Sequence, residues 1–134
     1  MSALSEAFSN KTDFYAEKSA SMDQIRHAEK EIGVVFSKDY KEYLQLYGSV
    51  SCVGHELTGI SEDTNLDVVN ATLSNYKKNQ NISAPFYVIE ETHMDGIVIW
   101  QTKTGEVFQS EYKGKPIKIY DSLIDYISSF DNGI

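Results

Sequence analysis

Three runs in the second half of the chain set the narrowest limits on the fold. APFYVIEE (84–91), GIVIWQTK (96–103) and EVFQSEY (106–112) are rich in β-branched and aromatic residues, and Asp95-Gly96 and Thr104-Gly105 separate them. Turn dipeptides between β-rich runs mark hairpins, so the spacing predicts an antiparallel meander. Phe86–Ile89 and Ile97–Trp100 are continuously apolar, which places them as central strands covered on both faces. Lys113-Gly114-Lys115-Pro116 then turns the chain into a further short strand, IKIY (117–120).

Helical signals flank this block. Ser21 followed by Gln24 is a capping box, Ile25, Ala28 and Ile32 make an apolar stripe, and Gly33 supplies a stop. In FSKDYKEYLQLYG (36–48), Ser37 offers an N-cap. Tyr40, Tyr43, Leu44 and Tyr47 recur at i, i+3, i+4, i+7 and point inward. Gly48 ends that helix through the left-handed conformation. Leu4, Phe8 and Tyr15 suggest a looser first helix. Residues 49–63 read as turns and a short strand. Asn65 offers a cap for a middle helix with Leu66, Val69, Leu73 and Tyr76 inward. Ser122 and Asp125 start a last helix with Leu123, Tyr126, Ile127 and Phe130 inward, and residues 131–134 follow as a fraying tail. Helices first, strands later and one closing helix give an α+β order in a single domain, 1–134, rather than the alternation of a doubly wound sheet. The sheet is antiparallel, with a mixed one possible.

Charge restricts the partners. The chain carries 20 acidic and 12 basic residues, a net −8, and such a surface repels phosphate backbones and anionic lipid while attracting basic proteins. The asymmetry is local: between Lys41 and Lys103 two lysines, Lys77 and Lys78, face eight carboxylates, so this stretch holds −6 of the −8. Direct nucleic-acid and membrane binding are not expected. One cysteine, Cys52, excludes an internal disulfide. The N-terminal sequence lacks a basic region followed by an apolar run, so a soluble cytoplasmic protein is expected.

Chemical motifs are sparse. Cys52-x-x-His55 resembles half a metal site, but tetrahedral zinc needs four ligands, and His27 and His93 are isolated in sequence. Neither metal nor cofactor is expected, and Cys52 reads as a small buried hydrophobe. No cysteine-hydrolase signature surrounds it. Glu90 and Glu91 are adjacent on a strand and point to opposite faces, so they do not share one substrate bond. Trp100, among Ile97, Val98 and Ile99, belongs to the core.

The run AEKEIGVVFSKDYKEYLQLYG, followed by GHELTGI, LDVVNATL, FYVIEE, GEVF and DSLIDYISSF, resembles the SUKH superfamily, also called the Smi1/Knr4 family, from Met22 to Phe130. Two positions depart from its usual pattern: Phe36-Ser37 stands where Leu-Pro is common, and Tyr47-Gly48-Ser49 where Asn-Gly-Gly is. The resemblance implies an α+β domain without catalytic residues or cofactors, which works by binding. It implies a bacterial immunity protein that neutralises a cognate toxin, often a nuclease with a basic groove. The acidic residues Glu56, Glu62, Asp63, Glu90, Glu91 and Asp95 are then the expected toxin-facing set, in a monomer or weak homodimer. The alternative within the family is a scaffold or regulatory module binding several proteins.

Overall fold

The structure, a computed structural model, describes residues 2–130. In chain order the elements are α1 (Ala3–Phe8), β1 (Tyr15–Ala16), α2 (Met22–Ile32), α3 (Lys38–Tyr47), β2 (Val50–Cys52), β3 (His55–Glu56) and α4 (Val68–Lys78). The meander β4 (Tyr87–Glu91), β5 (Val98–Gln101), β6 (Val107–Ser110), β7 (Ile117–Tyr120) follows, and α5 (Leu123–Ser128) closes the set. Both sheets are antiparallel, one ordered β1-β2-β3 and the other β4-β5-β6-β7. This is the α+β architecture expected from the order of the elements. The fraying expected of residues 131–134 concerns a stretch outside the described residues.

The four-stranded sheet is covered on both faces. One face, with Tyr87, Ile89, Ile99 and Val107, packs on the main core beneath α1, α2, α3 and α5. The other, with Val88, Val98 and Trp100, packs on Ala71 of α4 and on Ile82. Trp100 is fully buried and its indole N–H donates to Ser110 Oγ at 2.8 Å, which satisfies the one polar group the ring carries. β5 is central as expected. β4 instead ends the sheet, and the segment after β3 covers its outer edge. Thr58 N–H donates to Ile89 C=O at 2.9 Å, and Leu57 forms a bridge with Glu90.

The tyrosines of α3 explain how the two sheets are held together. Tyr40 and Tyr43 are buried, as is Leu44, while Tyr47 is only half-buried. Thr58 Oγ1 donates its single proton to Val88 C=O at 2.8 Å, so the 2.9 Å contact from Tyr40 is the phenol donating to Thr58. Tyr43 donates to Thr58 C=O at 2.7 Å and accepts Val50 N–H at 2.9 Å. One helix face thus serves a backbone group of β2 and both the backbone and side chain of Thr58, and Thr58 in turn serves β4. Burial pushes both phenols up from their ordinary values, so they remain neutral donors.

Several expectations need correction. α1 ends at Phe8, and Tyr15 lies in β1, where it is 65% exposed. Gly48 ends α3 with φ 71° and ψ −61°, a γ-turn closed by Ser49 N–H to Tyr47 C=O rather than a left-handed cap. Its hydrogen is required in space as well. A Cβ there would meet Lys18 O at 2.1 Å, and one at Gly59 would meet Gly48 O at 1.9 Å.

α4 is capped by Asp67, whose carboxylate accepts Asn70 N–H at 3.2 Å, not by Asn65, whose N–H is taken up by Asp63 Oδ1 at 2.9 Å. Its buried positions include Val68, Thr72 and Asn75, while Leu73 stays exposed. Thr72 wins its place because it serves a strand N–H that would otherwise go unpaired, and Asn75 because its amide is satisfied within the helix and by Asn79. Thr72 Oγ1 accepts Val88 N–H at 3.0 Å, and Asn75 Nδ2 donates to Ala71 C=O at 2.8 Å. The predicted caps of α2 and α5 stand: Ser21 and Gln24 exchange both capping-box bonds, and Ser122 Oγ accepts Asp125 N–H at 3.0 Å.

Candidate partner-binding surface

Five of the six carboxylates expected to face a partner reach the surface, and one does not. Glu90 is 4% exposed. The physical reason is a bulge in β4: the register steps from Val88↔Trp100 to Glu90↔Ile99, so Glu90 shares the face of Ile99 and turns into the main core. There it accepts a hydrogen bond from the Tyr126 hydroxyl, and His55 Nδ1 lies 3.0 Å from both its oxygens. The His55 ring stacks on Phe130 with centroids 3.7 Å apart. Lys11 Nζ donates to Phe130 C=O at 2.9 Å. Glu90 is therefore a strut that ties α5 to β3 and β4, and it leaves the set of surface carboxylates.

Glu91 pairs with Val98 and so faces the α4 side of the sheet, opposite to Glu90. The Leu57–Glu90 bridge sets Glu56, which is exposed, alongside Glu91. Like charges side by side on neighbouring strands repel. Glu62 and Asp63 are exposed on the loop between β3 and α4, where Ser61 Oγ donates to Glu17 at 2.9 Å and so brings a further carboxylate to the base of the loop. Thr64 and Asn65 of this loop border the same hollow as Glu91. Glu56, Glu62, Asp63 and Glu91 thus lie along one margin of α4. Asp95 sits farther on, at the tip of the β4–β5 hairpin, with φ 54°. Among the described residues none of these five forms an ion pair.

Lys77 and Lys78, the two cations of this stretch, lie in the last turn of α4, where they complement the helix dipole. Both line a hollow with Lys113, and Lys78 also borders the hollow that Glu91 shares with Thr64 and Asn65. The acidic stretch of sequence therefore folds into a margin of carboxylates that meets, at Glu91, the basic last turn of α4.

Cys52 and His55 face each other across the β2–β3 hairpin. Burial is the main influence on the Cys52 thiol and pushes it up to about 11, against the opposing pull of Lys11. A thiol held protonated is neither an activated nucleophile nor a ready metal ligand. No group of three or more histidine, cysteine or carboxylate side chains is placed to hold a metal ion among the described residues. No described helix is long and apolar enough to cross a membrane.

Sequence reasoning missed the link between Tyr126, His55 and Glu90 because its members are 36 and 35 positions from the glutamate. The one local signal was a glutamate ending a continuously apolar run. No curated protein matches the chain. The family profile SUKH_6, described as SMI1-KNR4 cell-wall, matches residues 22–127, from the capping box of α2 to the buried face of α5. The chain belongs to the SMI1-KNR4 (SUKH) family.

Proposed function

We propose that this protein is an immunity protein which binds a cognate toxin stoichiometrically and neutralises it, working in the cytoplasm and without catalysis of its own. The observation that carries the reading is the acidic margin of α4, where Glu56, Glu62, Asp63 and Glu91 have no cationic partner within the described residues. Unpaired carboxylates on a loop and two adjacent strands are the electrostatic complement of a groove built to hold nucleic acid, so the toxin of this proposal is a basic nuclease domain. Steering between such surfaces raises association rates by roughly tenfold to a thousandfold at low salt. Family membership supports a binding role, and the thiol pushed up at Cys52 speaks against a nucleophilic one.

The test is rescue. Co-expression with the toxin encoded beside it should restore growth of the host cell, and Glu62→Lys/Asp63→Lys should lower the association rate about tenfold at low salt and flatten its dependence on ionic strength. Unchanged affinity and salt dependence would remove those two residues from the interface. Failure to rescue from any co-encoded toxin would overturn the reading in favour of a regulatory module, which should recover several partners from its own cell rather than one dominant basic protein.

A further inference from the structure

The surface changes sign across α2. Its exposed residues form two stripes at four-residue spacing, with Asp23, His27 and Glu31 on one and Met22, Arg26 and Lys30 on the other, about 100° apart around the helix. The charge of Glu31 is felt by Asp67, the N-cap of α4, which places the first stripe on the acidic side of the molecule. The second stripe borders a groove that runs between α2, the α2–α3 corner, α3 and the β5–β6 turn. The groove consists of two adjoining hollows of about 590 and 710 Å³ that share Val35 and Lys103.

Its floor is apolar and open to solvent. Met22 is 38% and Val35 46% exposed, Pro85 is exposed, and Phe36 lies buried beneath them. Its rim carries Arg26, Lys30, Lys38, Lys41 and Lys103 against Glu29 and Glu42, a local charge of +3 in a chain of −8. Glu29 contributes little outward charge: its side chain is 16% exposed, it accepts Phe36 N–H at 2.8 Å, and Lys41 stands 3.7 Å away. Lys30, Lys38 and Lys103 form no ion pair among the described residues. Carboxylates outnumber cations by 20 to 12 in this chain, so three unpaired lysines around one exposed apolar floor are set where a partner can supply the opposite charge. An apolar centre inside a polar rim is the general anatomy of a protein interface.

We infer that this groove docks an acidic segment of another protein, with one or two apolar side chains seated on Met22, Val35 and Pro85 and with carboxylates over Lys38 and Lys103. Nucleic acid would meet the same lysines, but its phosphates leave the apolar floor unfilled, and the charge of the whole molecule opposes it. The groove is distinct from the acidic margin, so the inference stands or falls independently of the toxin.

A short fluorescein-labelled peptide of glutamate and aspartate with leucine and phenylalanine anchors serves as the probe, titrated against the full chain by fluorescence anisotropy. Binding should weaken as salt rises. It should weaken about tenfold or more in Lys38→Glu/Lys103→Glu, and also in Val35→Ser, which keeps every charge. Glu62→Lys/Asp63→Lys should leave it intact. All these positions are exposed, and a glutamate at position 38 suits the first turn of α3, so unfolding midpoints should confirm that the variants fold. Absence of binding, equal affinity in the Lys38/Lys103 variant, or tighter binding of a single-stranded oligonucleotide of the same charge would overturn the inference.

Discussion

The acidic margin of α4 and the groove beside α2 are opposite kinds of surface on one small domain. The margin has charge without an apolar centre: Glu56, Glu62, Asp63 and Glu91 stand on a loop and two strands, and the hollow beside them is lined mainly by polar side chains. The groove has charge arranged around apolar area, with Met22, Val35 and Pro85 at its centre. Charge at a rim governs the rate and the choice of partner, while apolar side chains desolvated at a centre supply most of the affinity. The margin is therefore suited to capture, and the groove to retention of a bound segment. α2 divides the two because its four-residue stripes carry different signs.

The largest effect should come from a residue on which both surfaces depend. α3 supplies Lys38 and Lys41 to the groove, and its Tyr43 hydroxyl holds Thr58 C=O and Val50 N–H near the root of the acidic loop. Tyr43→Ala should cost about 3 kcal/mol or more in denaturant unfolding, as large aromatic truncations in a core do. Tyr43→Phe should cost about 1 to 3 kcal/mol, because it leaves Val50 N–H without its acceptor in the core. If Tyr43→Ala unfolded at the wild-type midpoint, the role of the tyrosine in joining the sheets would be lost, and the two surfaces would have no common support.

Gly59→Ala should separate the surfaces. A Cβ at Gly59 would sit 1.9 Å from Gly48 O, so the backbone must shift where the acidic loop begins, at a cost of about 2 kcal/mol or more. Gly59 also accepts Val68 N–H at 2.8 Å and donates to Leu66 C=O at 2.9 Å, the two bonds that fix the ends of the loop before α4. The groove lies on other elements. Partner capture by the margin should fall, while binding of the acidic peptide at the groove persists in whatever fraction remains folded. Equal losses at both sites would mean that the surfaces are mechanically coupled.

The sequence disclosed these two surfaces unequally, and the reasons are physical. Elements whose signals are local were legible: the capping box at Ser21, the meander punctuated by Asp95-Gly96 and Thr104-Gly105, and the inward face of α5 depend on residues a few positions apart. Where distant backbone groups demanded polar partners, hydrophobic spacing misled. Thr72 is buried in α4 because Val88 N–H needs it, and Asn75 because its amide holds Asn79, whose Oδ1 accepts Lys113 N–H at 3.1 Å, whereas Leu73 is left outside. Glu90 went inward because a bulge in β4 changed the register, and composition carries no trace of a bulge. The acidic stretch was visible as a run of charge, although folding set Lys78 beside Glu91 and both lysines of the stretch beside Lys113. The groove was hidden because its cations come from α2, α3 and the β5–β6 turn, none of which is basic enough alone to attract notice.

The smallest effect concerns the boundary between the surfaces and is a dependence on pH. The Asp67 carboxyl is raised above its ordinary value, first by burial, with Glu31 adding to the shift and hydrogen bonds from backbone N–H groups, Asn70 among them, opposing it. A carboxyl raised in the folded state binds its proton more tightly there than in the unfolded chain. Its contribution to stability is therefore largest below the ordinary aspartate range and is lost as pH rises from that range through the raised value. Lowering the pH from neutrality toward that window should make this contribution more favourable, the reverse of the usual carboxylate in an ion pair. Asp67→Asn keeps an oxygen to accept Asn70 N–H while removing the charge. It should flatten this part of the profile and leave stability at neutral pH unchanged or slightly higher. Glu31→Gln, which removes only the neighbouring charge, should flatten it less. If the pH profile of Asp67→Asn ran parallel to that of the wild type in urea unfolding, Asp67 would be an ordinary solvated cap, and the division of charge along α2 would have no energetic expression at that point.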